Sequence, residues 1–208
     1  MELSCEESCC SAGNNQAAEQ AGITQHSWQL VGTLRVCDGD VFEPSNLNRQ
    51  LLSRIPLLGV SKARAAADHI AKVNPDVTVE AVETFMTRKT VHSLIEGCDI
   101  VLDALDNIPS RRLLAAACSE AGIPYVYGAI AGWVAQAAIS MPGDELIAKL
   151  YPQEVEIRDK SVLSFTPALC AAMQVSLCIK LLVGRPVDTG KIFYFDLLNQ
   201  EYEEIPMF

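Results

Sequence analysis

From residue 33 onward, short apolar runs alternate with segments of helical period, and this alternation restricts the chain's fold more than any other feature. The run Leu34 to Cys37 stops at two acids, Asp38 and Asp40. After a polar loop, apolar positions 63, 66, 67, 70 and 73 share one helical face, and Asn74-Pro75 ends that helix. A half-exposed strand over 77–82 and a short helix over 90–96 follow. The continuous apolar run 100–102 is of the kind a buried parallel strand shows, and it ends at Asp103. Proline at 109 and Ala121-Gly122 bound the next helix. Residues 125–131 and 134–140 read as strands joined by Gly132-Trp133, and 141–165 as a long polar connection. An apolar helix over 166–182, opened by Thr166-Pro167 and closed by Gly184, precedes two last strands at 191–196 and 200–206. Strand and helix alternating first, with antiparallel strands last, predict an α/β fold with a mostly parallel sheet and an antiparallel edge.

A chain of 208 residues, half apolar and a fifth charged, is one ordinary globular domain. Its net charge of −10 argues against a nucleic-acid partner, which demands a basic face. The eight cysteines are scattered and mostly flanked by apolar residues, and no signal peptide opens the sequence. A reduced, cytoplasmic protein is expected. The segment 166–183 approaches membrane-spanning length but carries Gln174, Ser176 and Lys180, so it reads as a core or interface helix and no membrane partner is expected. His26, His69 and His92 stand singly and suggest no catalysis.

The polar residues between 36 and 62 carry the chemistry. An acid at the carboxyl end of a strand, as Asp38 is, sits where ribose hydroxyls are held, because a carboxylate accepts from both. Asn46, Arg49 and Gln50 follow in a loop, and Lys62 opens a helix. A lysine at the positive end of a helix dipole is unfavourable unless an anion shares it. Each residue also has an ordinary reading. Asp38 serves as a turn, Asp106 or Asn107 caps the helix at Pro109, and Arg49 and Lys62 are solvated charges. Arg111 and Arg112, at the same helix start, read as surface residues or weak phosphate or partner candidates.

The motifs DGDVFEPSNLNRQ, GVSKARAAADHIAKVNPDV, DIVLDALDNIPSRRLL and GIPYVYGAIAGW together resemble the ThiF/MoeB/HesA adenylyltransferases, relatives of ubiquitin-activating enzymes, from about residue 32 to 204. The resemblance implies a Rossmann-like, mostly parallel sheet with helices on both faces. It implies ATP-dependent adenylylation of the C-terminal glycine carboxylate of a ubiquitin-like or sulfur-carrier protein, with release of pyrophosphate. On that pattern Asp38 holds the ribose, Asn46, Arg49 and Lys62 contact phosphates, and Gln50 lies beside them. Asp106 holds Mg2+ with Asn107 adjacent, so Arg49, Lys62 and Asp106 are the expected catalytic groups. A homodimer is implied too. The chain contains no CxxC pair, so no structural zinc is expected. Residues 141–165 contain no cysteine, so chemistry is expected to stop at the acyl-adenylate unless another protein supplies a thiol.

Residues 1–31 depart from that pattern, leaving 32–208 as the adenylation domain and 1–31 as an atypical, degenerate first βα unit. Residues 9–12 make a poor strand on composition. The glycines of a phosphate loop are expected at 14, 16, 17 and 19, where the chain has Asn14, Gln16, Ala17 and Glu19. Either the loop is remodelled or this segment is an altered N-terminus. Two function classes therefore stay open: an adenylyltransferase, and a non-catalytic nucleotide-binding or scaffold subunit. A nicotinamide dehydrogenase shares the ribose acid but explains neither Arg49 nor Lys62 and lacks a GxGxxG turn.

Overall fold

The computed structural model describes residues 8–13 (as backbone), 31–152 and 162–208. Its elements in chain order are β1 (Ser8–Gly13), β2 (Thr33–Cys37), α1 (Lys62–Val73), β3 (Thr78–Val82), α2 (Val91–Ile95), β4 (Ile100–Ala104) and α3 (Ile108–Ala121), then β5 (Tyr125–Ala131), β6 (Val134–Ser140), α4 (Leu146–Leu150), α5 (Phe165–Leu182), β7 (Lys191–Asp196) and β8 (Glu201–Pro206). The strands form one eight-stranded sheet in the order β3-β2-β1-β4-β5-β6-β7-β8. Pairing is parallel from β3 through β5 and antiparallel from β5 to β8. The chain therefore runs outward from β1 in one direction and then in the other, which makes the carboxyl ends of β1 and its neighbours the switch point of the sheet.

Residues 8–13 correct the sequence reading, since they form the central strand, with Ala12 beside Cys37 on one side and Asp103 on the other. A slot between two parallel strands supplies ladder partners on both edges, and that outweighs weak local propensity. The expected glycine positions 14, 16, 17 and 19 lie outside the described residues.

Helices cover both faces. On one, α1 and α5 bury Ala63, Ala66, Ile70, Val175 and Cys178 against Leu34, Val36, Ile100, Leu102 and Val126. On the other, α2, α3 and α4 bury Val91, Ile95, Leu114, Ala117 and Leu146 against Val101, Tyr125, Tyr127 and Ala138. The connection 141–165 is less irregular than its polarity suggests: Leu146 and Ile147 are buried, and Asp144 accepts from the Leu146 amide at 2.9 Å to start α4. Helix α5 meets the length and apolarity needed to cross a membrane, yet its Cys170, Ala171, Gln174, Val175 and Cys178 are buried within the protein. Thr166 does not cap it. Its buried hydroxyl instead donates to Gly132 O at 2.9 Å, tying the helix start to the β5–β6 turn. Cys37, Cys118 and Cys170 are free, buried thiols and Cys178 is buried, while Cys98 is disulfide-bonded, a departure from the fully reduced chain expected.

Candidate functional site

A hollow of about 250 Å³ opens at the switch point, lined by Cys37 to Asp40 after β2, Thr84 to Met86 after β3, Ala104 to Asn107 after β4, and Ser110. β1 lies between β2 and β4, so its carboxyl end abuts the same hollow. The floor is polar and one wall is apolar. Phe85, 62% exposed, stands in that wall, and its ring lies so close to Gly39 that a Cβ there would come within 2.6 Å of it. The small residue between the two acids thus lets a large ring back onto the loop.

Asp38 is buried, and its backbone amide continues the sheet by donating to Val82 O at 3.1 Å. One carboxylate oxygen accepts from the Asp40 amide at 2.8 Å, while Oδ2 is buried with no hydrogen-bond partner among the described residues. Burial pushes the Asp38 carboxyl up to about 6, with Asp40 and Asp106 adding to the rise and the Asp40 amide and Lys62 opposing it. The sign of the linkage follows. A raised carboxyl favours the fold fully below pH ~4 and loses that contribution as pH rises through about 6. Asp38→Asn, which keeps the acceptor for the Asp40 amide, should therefore stabilise the chain at pH 7.5 by about 2 kcal/mol. That advantage should vanish towards pH 4, as read by urea unfolding at both pH values.

Lys62 reaches this site because residues 41–61 fold back on themselves. Val41 bridges Ser61, and Phe42 pairs with Leu58 while its amide donates to Val60 O. That return brings the start of α1 to Asp40, so the Lys62 amide donates to Asp40 O at 3.0 Å and Nζ to Asp40 Oδ2 at 3.1 Å. The anion that the helix start demanded is thus present within the chain. The lysine side chain is only 6% exposed.

Asp106 and Asn107 divide the two roles left open by the sequence. Asn107 is the N-cap, its side-chain oxygen accepting from the Ser110 amide at 2.9 Å. Asp106 is exposed at the rim and meets only Asn107 Nδ2, at 3.1 Å, among the hydrogen bonds of the described residues. Of the expected site residues, Asp38, Asp106 and Asn107 line one hollow, and Lys62 meets it through Asp40.

Asn46, Arg49 and Gln50 do not line the hollow. Asn46 is a buried keystone of its loop: its side chain accepts from the Glu43 amide at 2.9 Å, and its carbonyl accepts from the Arg49 and Gln50 amides and the Ser53 hydroxyl. Arg49 donates to Ser45 O at 2.6 Å and Asn48 Oδ1 at 3.2 Å. Gln50 is buried, and its Nε2 has no hydrogen-bond partner among the described residues. Arg111 is not at the surface as expected but buried under the sheet beside Asp103, whereas Arg112 is exposed. Sequence reasoning passed over Asp40's role, the Phe85 wall and the Asp103–Arg111 pair. Only the acid two residues past Asp38 carried any signal.

The donor set accommodates a magnesium ion. Among the described residues no three acids, histidines or cysteines cluster as a metal cage. Magnesium needs only one or two protein carboxylates, with substrate phosphates and water completing its shell, and the exposed Asp106 could supply one.

The ThiF family sequence profile matches residues 21–208. The chain belongs to the ThiF family. This ThiF-family chain is 36% identical over 184 residues to the SAMP-activating enzyme E1 of Haloferax volcanii, covering 85% of the chain and 68% of that protein. It is 29% identical over 185 residues to the molybdopterin-synthase adenylyltransferase of Salmonella typhimurium, covering 85% and 74%. Among solved structures, Escherichia coli MccB with ATP superposes with a TM-score of 0.81 at 16% identity, over 97% of this chain and 64% of that one. PaaA superposes at 0.78 and 22% identity, over 98% and 64%. These ThiF-like structures share the Rossmann-type α/β fold expected from the motifs. The chain spans about two thirds of the length of the proteins it matches in structure.

Proposed function

We propose that this ThiF-family chain adenylylates the C-terminal glycine carboxylate of a small ubiquitin-like or sulfur-carrier protein, using ATP and releasing pyrophosphate. The observation that carries the reading is Asp38 lining a hollow at the sheet's switch point, a carboxylate at the strand end where ribose hydroxyls are held. Phe85 and Met86 offer an apolar wall to a base. Lys62 would turn from Asp40 towards the phosphates and Arg49 would approach from its loop, while Asp106 would hold a magnesium ion, which would supply positive charge to offset that of the phosphates. Asn46 and Gln50 fix the loop that carries Arg49. No side-chain nucleophile is required, because the incoming carboxylate attacks and pyrophosphate leaves. What the chain contributes is orientation of two anions that repel each other.

A homodimer would use the surface of α5, where Phe165, Ala172, Ser176 and Lys180 are exposed beside half-buried Leu169 and Met173. A second reading, a subunit that binds nucleotide without turnover, is favoured by the Lys62–Asp40 pair and by the absence of glycine at 14, 16, 17 and 19. Labelled pyrophosphate separates the two. Incorporation into ATP that depends on an added ubiquitin-like protein ending in glycine, and disappears when that glycine is truncated, is the expected result. Saturable ATP binding with no exchange supports the non-catalytic subunit and overturns the first reading.

A further inference from the structure

We infer that Asp103 and Arg111 are positioning residues whose buried pair clamps both backbone polar groups of Leu105 and thereby fixes the carboxylate of Asp106. The inference rests on the adenylylation reading above, since it concerns the loop that carries the metal-holding acid. Asp103, in β4, is fully buried, and its Oδ1 accepts from the Leu105 amide at 2.8 Å. Arg111, one turn into α3, donates from Nη2 to Leu105 O, and from Nη1 to Gly128 O in β5 at 2.6 Å. The guanidinium also lies 3.5 Å from Asp103 Oδ2 and 5.4 Å from the centre of the Tyr127 ring. The backbone of Asp103 is held in turn, because Gln174 of α5 donates to its carbonyl at 2.6 Å. Leu105 is therefore fixed at its N–H and its C=O by two side chains that are themselves anchored to β5 and α5, and Asp106 is the next residue.

A buried ion pair does not explain itself by stability, since well-packed apolar residues of similar volume often serve as well. What an apolar pair cannot supply is a forked donor spanning Leu105 O and Gly128 O. Asp106 has no burial of its own to hold it, so its place relative to Asp38 across the hollow depends on this backbone. The pair acts through the loop and touches no substrate.

Arg111→Lys keeps the charge and loses the fork. Two readouts in the full chain test it. Hydrogen exchange at the 105–107 amides should speed up by about tenfold or more, the effect of one or two lost charge-assisted hydrogen bonds. The magnesium concentration that half-maximally tightens ATP binding should rise about tenfold, while ATP binding without magnesium stays as in the wild type. Ile70→Val, on the opposite face of the sheet, lowers the melting temperature and should leave both readouts unchanged, which separates positioning from general loss of stability. If Arg111→Lys does not fold, Asp103→Asn, which retains an acceptor for the Leu105 amide, should shift both readouts in the same direction. Wild-type exchange at 105–107, or an unmoved magnesium midpoint, overturns the inference. If the wild type shows no magnesium-dependent ATP binding, the adenylylation reading fails and the positioning role with it, while faster exchange at 105–107 still registers the clamp itself.

Discussion

Asp106→Ala should lower carrier-dependent pyrophosphate exchange by about a thousandfold and leave the melting temperature within about 2 °C of the wild type. The two halves of that expectation come from different observations. Asp106 is exposed and bonds only the neighbouring Asn107 amide among the described hydrogen bonds, so its truncation removes little packing. Asp106 lines the hollow together with Asp38, however, and on the proposed reading it would hold the magnesium ion that offsets the charge of a triphosphate. Asn107→Ala provides the contrast. It removes the acceptor for the Ser110 amide and should cost about 1 kcal/mol through loss of the cap. A stability loss at 106 as large as that at 107, with exchange intact, would return Asp106 to the role of a helix-start residue and sink the site as described. The measurements are labelled-pyrophosphate exchange into ATP and thermal unfolding on the same preparations.

Much of the architecture was legible because hydrophobic period and punctuation agreed. Asn74 ends α1 and Gly122, at φ +75°, ends α3, and both strands of the β5–β6 hairpin fall at the residues the pattern marks. β1 was not legible. Its place is given by pairing with β2 and β4, which no local composition reports. The α4 helix was hidden in a polar stretch whose two buried residues are too few for a period to show.

The site was legible as a set of residue types and less so as geometry. Spacing brought Asp38, Asp106 and Asn107 to one place because strands β2 and β4 end at the same rim. At Lys62 the sequence logic required an anion but could not say that Asp40 would supply one. Asn46 and Gln50 share a motif with Arg49, yet a motif does not separate a residue that builds the loop from one that faces a ligand. Arg111 read as exposed because an arginine near a helix start ordinarily is. Only the tertiary arrangement reveals the carbonyls and the carboxylate that make its burial tolerable.

Gly128→Ala should destabilise the fold by about 3 kcal/mol, a drop in melting temperature of roughly 6–12 °C for a chain of this size. A Cβ at 128 would sit 2.2 Å from Cδ and 2.4 Å from Nε2 of Gln174. That amide is fixed, donating to Asp103 O at 2.6 Å and Val126 O at 3.2 Å. It cannot yield without leaving two buried carbonyls short of a donor, so overpacking and unsatisfied polar groups add. Glycine is required here by the close approach of α5 to β5 and not by backbone conformation, because φ at 128 is not positive. A double-mutant cycle tests the cause: in a Gln174→Ala background the three atoms nearest the added methyl are gone, and the further cost of Gly128→Ala should fall below about 1 kcal/mol. An undiminished cost in that background would place the strain elsewhere. Because Gly128 O also accepts from Arg111, a shifted β5 backbone should loosen the Leu105–Asp106 turn as well, tying the packing of one face of the sheet to the geometry at its rim.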